Sequence, residues 1–231
     1  KELDARFDKW LAKGKINDGQ CQNLKTWAEV THEWAGFSDV DFLIEAVTEN
    51  WEVKVAIFKE ADQVLPAHAI ITSNTSAIPI EHLAVALKDP QRLVGMHFFN
   101  PPTIMPLVEI IPSKVSLPES VAAVAEFAKE GLGKRIVTLK KEGPGFIVNR
   151  ALIPYLNEAA WLLMEGQMTP EALDAQAVEF GWPMGPFTLL DTIGIDTAAK
   201  VSAVLHAGLG ERATPPELLG VPVLGRSDDL P

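Results

Sequence analysis

Between residues 41 and 139 short apolar runs alternate with stretches of helical periodicity, and beyond Gly143-Pro144-Gly145 only helical periodicity remains. That switch limits the fold more than any other feature. The runs at 41–47, 69–73, 93–99, 107–111 and 135–139 are too short for helices and suit strands, the first two buried and parallel. Strands alternating with helices give a mostly parallel α/β sheet. The expectation is therefore a sheet domain over 1–142 followed by an all-helical domain over 143–231.

The helical stretches carry readable ends and faces. Residues 2–13 place Leu3, Phe7 and Leu11 on one face, and Asn17-Asp18-Gly19 reads as a turn. Asn50 caps a helix whose buried stripe is Val53, Ile57, Ala61 and Leu65. A short helix starts near Pro79, and another spans 118–130. Residues 146–165 read as a long helix kinked at Pro154. Thr169 caps the next, which Gly181 ends, and two more begin near Pro186 and Asp196. The Pro- and Gly-rich stretch at 215–231 reads as a tail.

Composition removes several functions. A net charge of −11 opposes nucleic-acid binding, which needs a basic face. No apolar run approaches the roughly 20 residues that span a bilayer, and the charged start Lys1-Glu2-Leu3-Asp4 is no signal peptide. Cys21 stands alone, so neither a disulfide framework nor a thiolate metal cluster is expected, and no metal site is read from His and Asp spacing.

Four segments carry candidate chemistry. The first is Glu45-Ala46-Val47-Thr48-Glu49-Asn50 with Lys54, the second Ser73-Asn74-Thr75-Ser76, each just past a strand end, where α/β sheets bind ligands. Taken alone, Glu49 and Lys54 read as a surface pair, and Asn74 and Ser76 as turn residues. The third is His97-Phe98-Phe99-Asn100-Pro101 leading to Leu107-Val108-Glu109. His97 and Glu109 lie twelve residues apart on strand-like segments, so a hairpin-like return brings them together. A carboxylate beside an imidazole fixes its tautomer, the arrangement of a general base that takes a proton from an alcohol. His32, His68, His82 and His206 have no such setting and read as core histidines bonded to backbone carbonyls. The fourth segment is Pro144-Gly145-Phe146-Ile147-Val148-Asn149-Arg150, followed by Gly181-Trp182-Pro183-Met184-Gly185-Pro186.

In this order and spacing the four segments resemble the signature of the 3-hydroxyacyl-CoA dehydrogenases, over about residues 1–205. The likeness is greatest to the dehydrogenase part of multifunctional fatty-acid oxidation α subunits, as in Lys15-Ile16-Asn17-Asp18 and Gly36-Phe37. The resemblance implies a Rossmann-type sheet and an NAD cofactor. It implies oxidation of (S)-3-hydroxyacyl-CoA to 3-ketoacyl-CoA in fatty-acid β-oxidation. It makes His97 the base and Glu109 its partner, with Ser76 and Asn149 holding the substrate's oxygens. Val47, Thr48, Glu49, Lys54, Ser76 and Asn100 would line the cofactor track.

The family's Gly-x-Gly-x-x-Gly turn, which normally opens such a sheet, is not in the sequence. We therefore expect the natural N-terminus upstream, a sheet short of its central strand, and weak NAD binding by these residues alone. The family's C-terminal aromatic motif is also absent, and Lys13 and Lys15 stand in for its N-terminal coenzyme A contacts. The implied partners are an acyl-CoA substrate and either a homodimer through the helical domain or a larger β-oxidation complex. The implied location is bacterial cytoplasm, or mitochondrial matrix or peroxisome in a eukaryote. Two alternatives stand beside this reading: a non-catalytic structural relative, and a fragment unable to bind NAD. The β-hydroxyacid and 6-phosphogluconate dehydrogenases use a lysine for acid–base work, and the His97–Glu109 pair argues against them.

Overall fold

The computed structural model describes residues 2–220. Backbone contacts divide the chain into two compact units that meet between Asp39 and Val40. The first unit holds helices α1 (Glu2–Ala12) and α2 (Asp18–Trp27) and buries Phe7 and Cys21. Asp8 accepts a hydrogen bond from Lys25 Nζ at 2.6 Å. Asn17 does not make the expected turn. Its side chain accepts from Gln20 N–H at 2.8 Å, while the Gln20 side chain accepts from Asn17 N–H at 2.9 Å. This reciprocal cap starts α2, because the residue types that favour turns also satisfy the free N–H groups of a helix start.

The second unit contains a five-stranded sheet in the order β1 (Phe42–Glu45), β2 (Ile70–Ser73), β3 (Leu93–Phe98), β4 (Leu107–Pro112), β5 (Arg135–Thr138). The β3–β4 pair is antiparallel and the other three pairs are parallel, so the sheet is mostly parallel. Among the described residues β1 lies at an edge, with Ile44 40% exposed, and is not the buried strand its apolar run implies. Helices α3 (Trp51–Val64), α4 (Ile80–Ala84) and α5 (Pro118–Glu126) alternate with the strands. Val94, Met96, Val108 and Ile110 form a core with Val124 and Ala128, all fully buried. Each large side chain buried this way contributes about 1.5–3 kcal/mol.

Of the stripe expected on α3, Ala61 and Leu65 are buried, but the first half of the helix is turned. Lys54, Val55, Phe58 and Ala61 face inward, and Val53 is 39% exposed. Asn50 caps this helix as expected, accepting from Val53 N–H at 2.9 Å.

Past Gly143 the described chain is helical: α6 (Val148–Met164), α7 (Pro170–Phe180), α8 (Pro186–Ile193) and α9 (Ile195–Leu209). Ile153, Leu156, Leu190, Ala198, Val201 and Leu205 make their core, and Ala213 and Leu219 join it. Residues 215–220 are therefore not the start of a loose tail, since Leu219 is 6% exposed. The rest of the expected tail, 221–231, lies outside the described residues. None of the described helices is long and apolar enough to cross a membrane.

Candidate active site

Because β1, β2 and β3 run parallel, the chain leaves all three at one sheet edge, in the loops 46–50, 74–79 and 99–106. Ligands bind at that edge in open α/β sheets.

The first loop stands on a buried charge. Glu45 ends β1 and is 3% exposed. A carboxylate there needs donors. One oxygen accepts from Val47 N–H at 2.7 Å and from Lys54 Nζ at 2.8 Å, and the other from the Ser73 hydroxyl at 2.6 Å. Lys54 also donates to the Val47 carbonyl at 3.2 Å and approaches Glu49 Oε2 at 3.5 Å. The other Glu49 oxygen accepts from the Thr75 hydroxyl at 2.5 Å and from the N–H groups of Ser76 and Ala77 at 2.9 and 3.0 Å. The loops after β1 and β2 are thus joined through charged hydrogen bonds, the stronger kind. Asn74 extends the connection to β3, accepting from Phe98 N–H at 2.8 Å.

The antiparallel β3–β4 register sets His97 directly opposite Glu109. Both are buried, and His97 Nδ1 lies 2.7 Å from Glu109 Oε2. A carboxylate only accepts, so Nδ1 carries the hydrogen, and in the neutral imidazole Nε2 is then the acceptor. Oε1 of Glu109 accepts from the N–H groups of Ile147 and Val148 at 2.8 and 3.0 Å. These are free donors at the start of α6, where the helix dipole also favours an anion. One side chain therefore orients the imidazole and holds the helix that carries Asn149.

The turn into α6 is tight. Gly145 has φ +70° and Phe146 has φ +53°, which for a non-glycine residue is strained. The strain places the Phe146 ring 5.6 Å from the His97 ring, with Phe99 at 4.7 Å on the imidazole. Asn149 Nδ2 then lies 3.4 Å from the Ser76 carbonyl.

Of the residues expected from sequence, His97 meets Glu109, and Asn149 meets the backbone of Ser76. Val47, Thr48 and Asn100 are exposed on their loops. Lys54 is not a surface residue, since it is 1% exposed. His32, His68 and His82 are exposed and His206 is half-buried, so none is a core histidine. His68 pairs with Asp41 at 2.9 Å, and His206 Nδ1 lies 3.2 Å from the Gly210 carbonyl. Sequence reasoning assigned no role to Glu45, Thr75 or Phe146. A glutamate ending an apolar strand was the available sign for the first.

The donor set at the edge fits the nicotinamide-ribose half of a dinucleotide. Thr48 and Asn100 offer exposed neutral groups, Val47 a partly exposed apolar wall, and Ser76 a half-buried hydroxyl without a protein partner among the described contacts. Neutral hydrogen bonders suit ribose hydroxyls and a carboxamide.

Residues 1–142 match the 3-hydroxyacyl-CoA dehydrogenase NAD binding domain, and residues 145–223 match the C-terminal domain of the same family. The chain is 40% identical over 226 residues to the fatty acid oxidation complex subunit alpha of Shewanella sp. strain W3-18-1, covering 96% of this chain and 32% of that protein. It thus spans about a third of the length of such relatives. Among solved structures, (S)-3-hydroxybutyryl-CoA dehydrogenase from Ralstonia eutropha is 36% identical with a TM-score of 0.88, covering 94% of this chain and 76% of that one. The 3-hydroxybutyryl-CoA dehydrogenase of Escherichia coli K12 is 33% identical with a TM-score of 0.88, covering 95% and 47% respectively. With both family domains matched in order, along the sheet that carries the His97–Glu109 pair and the helices that follow it, the chain belongs to the 3-hydroxyacyl-CoA dehydrogenase family.

Proposed function

We propose that this chain carries the oxidation of (S)-3-hydroxyacyl-CoA to 3-ketoacyl-CoA, with His97 as general base. The observation that carries the reading is the double engagement of Glu109, which bonds His97 through one oxygen and the start of α6 through the other. An alcohol does not ionise alone at neutral pH, so its proton leaves as the hydride departs. His97 Nε2 takes that proton while Glu109 holds Nδ1–H and steadies the imidazolium that forms. Redox chemistry needs a hydride acceptor, which NAD supplies when bound. Ser76 and Asn149 hold the substrate's oxygens, and burial of His97 keeps bulk water from the proton transfer. Val47, Thr48, Glu49, Lys54, Ser76 and Asn100 line the cofactor.

We assign cofactor binding to residues 1–142, and dimerisation and substrate contact to residues 143–231. Resemblance to fatty acid oxidation complex subunits supports a place in a larger assembly, and the helical part is the proposed face for pairing.

The test is His97→Gln in the intact protein. Turnover should fall by about 10² to 10⁴, the usual worth of a positioned acid–base group. NADH binding should change little, since His97 acts on the substrate. If the variant turns over normally and only melts earlier, His97 is structural and the assignment fails.

A further inference from the structure

We propose that Lys134 is a positioning residue that braces the loop 99–106 and so fixes Asn100 at the cofactor edge. The inference rests on the cofactor reading of Asn100 and deepens it. The loop is short of donors. Three of its eight residues are Pro101, Pro102 and Pro106, which have no N–H. Each still carries a carbonyl, and carbonyls need partners. The Pro101 carbonyl accepts from the N–H groups of Ile104 and Met105 at 3.0 and 2.9 Å, and the Pro106 carbonyl from Arg135 N–H at 2.7 Å. The carbonyls of Pro102 and Met105 find their donor outside the loop. Lys134 Nζ donates to both, at 2.5 and 2.8 Å.

Strand register puts the lysine there. β5 runs parallel to β4 with Arg135 opposite Leu107, so Lys134 falls beside the loop's last residue. Its ammonium ties together two carbonyls on the turn that follows Asn100, through bonds strengthened by its charge. β3 holds the chain as far as Phe98, and the braced turn holds it from Pro101 onward. The direction of Asn100 is thus set from both sides. Without the brace the turn should open locally while the sheet stays folded. A loop that is competent only part of the time weakens apparent affinity by the competent fraction, and saturating ligand restores it.

Lys134→Met and Lys134→Arg in the intact protein decide it. Methionine keeps the reach and removes the donors, whereas arginine keeps donors. In Lys134→Met the dissociation constant for NADH, read by nicotinamide fluorescence, should rise on the order of tenfold, the worth of one charged hydrogen bond. KM for NAD should rise with it. Turnover at saturating NAD and its pH profile should hold, because strand register sets His97 and Glu109. The melting temperature should barely move. Amide hydrogen exchange at Ile104 and Met105, measured without nucleotide, should quicken. Lys134→Arg should recover most of the affinity and slow the exchange again. The inference is overturned if exchange at Ile104 and Met105 is unmoved in Lys134→Met, or if arginine behaves as methionine does. It is also overturned if turnover falls while KM for NAD stays, which would put the lysine in the chemistry. Faster exchange with unchanged NADH affinity would overturn the cofactor reading of Asn100 and keep the brace, so the two readings fail separately.

Discussion

Glu109→Gln separates orientation of the base from its presence. The glutamine keeps the volume of a fully buried side chain, so no cavity opens. Three donors now face Glu109: His97 Nδ1 at 2.7 Å, Ile147 N–H at 2.8 Å and Val148 N–H at 3.0 Å. An amide has one acceptor oxygen and one donor nitrogen. With its oxygen kept on the two N–H groups of α6, its NH₂ faces Nδ1, and two donors cannot pair. The imidazole resolves the conflict by moving its hydrogen to Nε2, and that nitrogen can then no longer take the substrate's proton. A carboxylate-to-amide change at the serine-protease triad produces this wrong tautomer and costs about 10⁴ in kcat. The expectation here is a fall of about 10² to 10⁴ in the single-turnover rate, followed by NADH absorbance after rapid mixing.

The same substitution weakens the cap on α6. Charged hydrogen bonds become neutral ones and the helix-terminus attraction is lost, together about 1–3 kcal/mol. For a chain of this size that lowers the melting temperature by about 2–12 °C. Rate loss should appear at temperatures where the variant is fully folded. A single-turnover rate within about threefold of the unsubstituted protein, too small for a lost acid–base step, would refute the tautomer argument. So would an unchanged melting temperature, which would show that Glu109 does not hold α6.

Two carboxylates should give opposite pH slopes in stability. Burial holds Glu142 above the usual carboxylate range, against the N–H groups of Ile80 and Glu81 that it accepts, with Glu81 adding to the rise and Lys114 opposing it. Its folded form retains the proton, so its contribution is lost as pH rises from about 4.5 upward, and Glu142→Gln should flatten that decline in melting temperature. For Asp174 burial pushes upward, but the Thr188 hydroxyl and the N–H groups of Phe187 and Thr188 prevail and hold the carboxyl low. That contribution is present above about 3.8 and lost as pH falls, so Asp174→Asn should matter near neutrality and little in acid; equal slopes in the two variants would contradict both assignments. Gly95→Ala puts a Cβ 2.8 Å from Ile111 Cβ and 2.9 Å from Ile80 Cδ1, and should destabilise by about 1–3 kcal/mol in denaturant unfolding.

The sequence made some of this site legible and hid the rest for definite reasons. His97 and Glu109 could be paired because both lie on short apolar runs separated by one return, and strand register then does the work. Glu109's hold on Ile147 and Val148 could not be read, since those donors are backbone groups 38 and 39 residues away. Backbone donors leave no mark in residue type. The turn at Phe146 was equally hidden, because a positive φ is read from glycine and this one falls on the residue after it. The turn expected at Asn17 failed for the opposite reason: one residue type serves both turn and cap, and only Gln20 three positions on distinguishes them.

The first half of α3, where the expected face is misplaced, is more instructive. Apolar periodicity chose Val53, Ile57, Ala61 and Leu65, because any rule that puts lysine outside must turn the helix until Lys54 points away. The observed inward set of Lys54, Val55, Phe58 and Ala61 follows once a buried partner for Lys54 exists. That partner was visible in the sequence, since β1 is an apolar strand that ends in glutamate. A buried glutamate at a strand end demands donors, and the first turn of the following helix is the nearest place for a side-chain cation. Lys54 sits nine residues on, in that turn. The two anomalies, an acid closing an apolar strand and a base interrupting an apolar stripe, explain each other. Read together they orient α3 correctly.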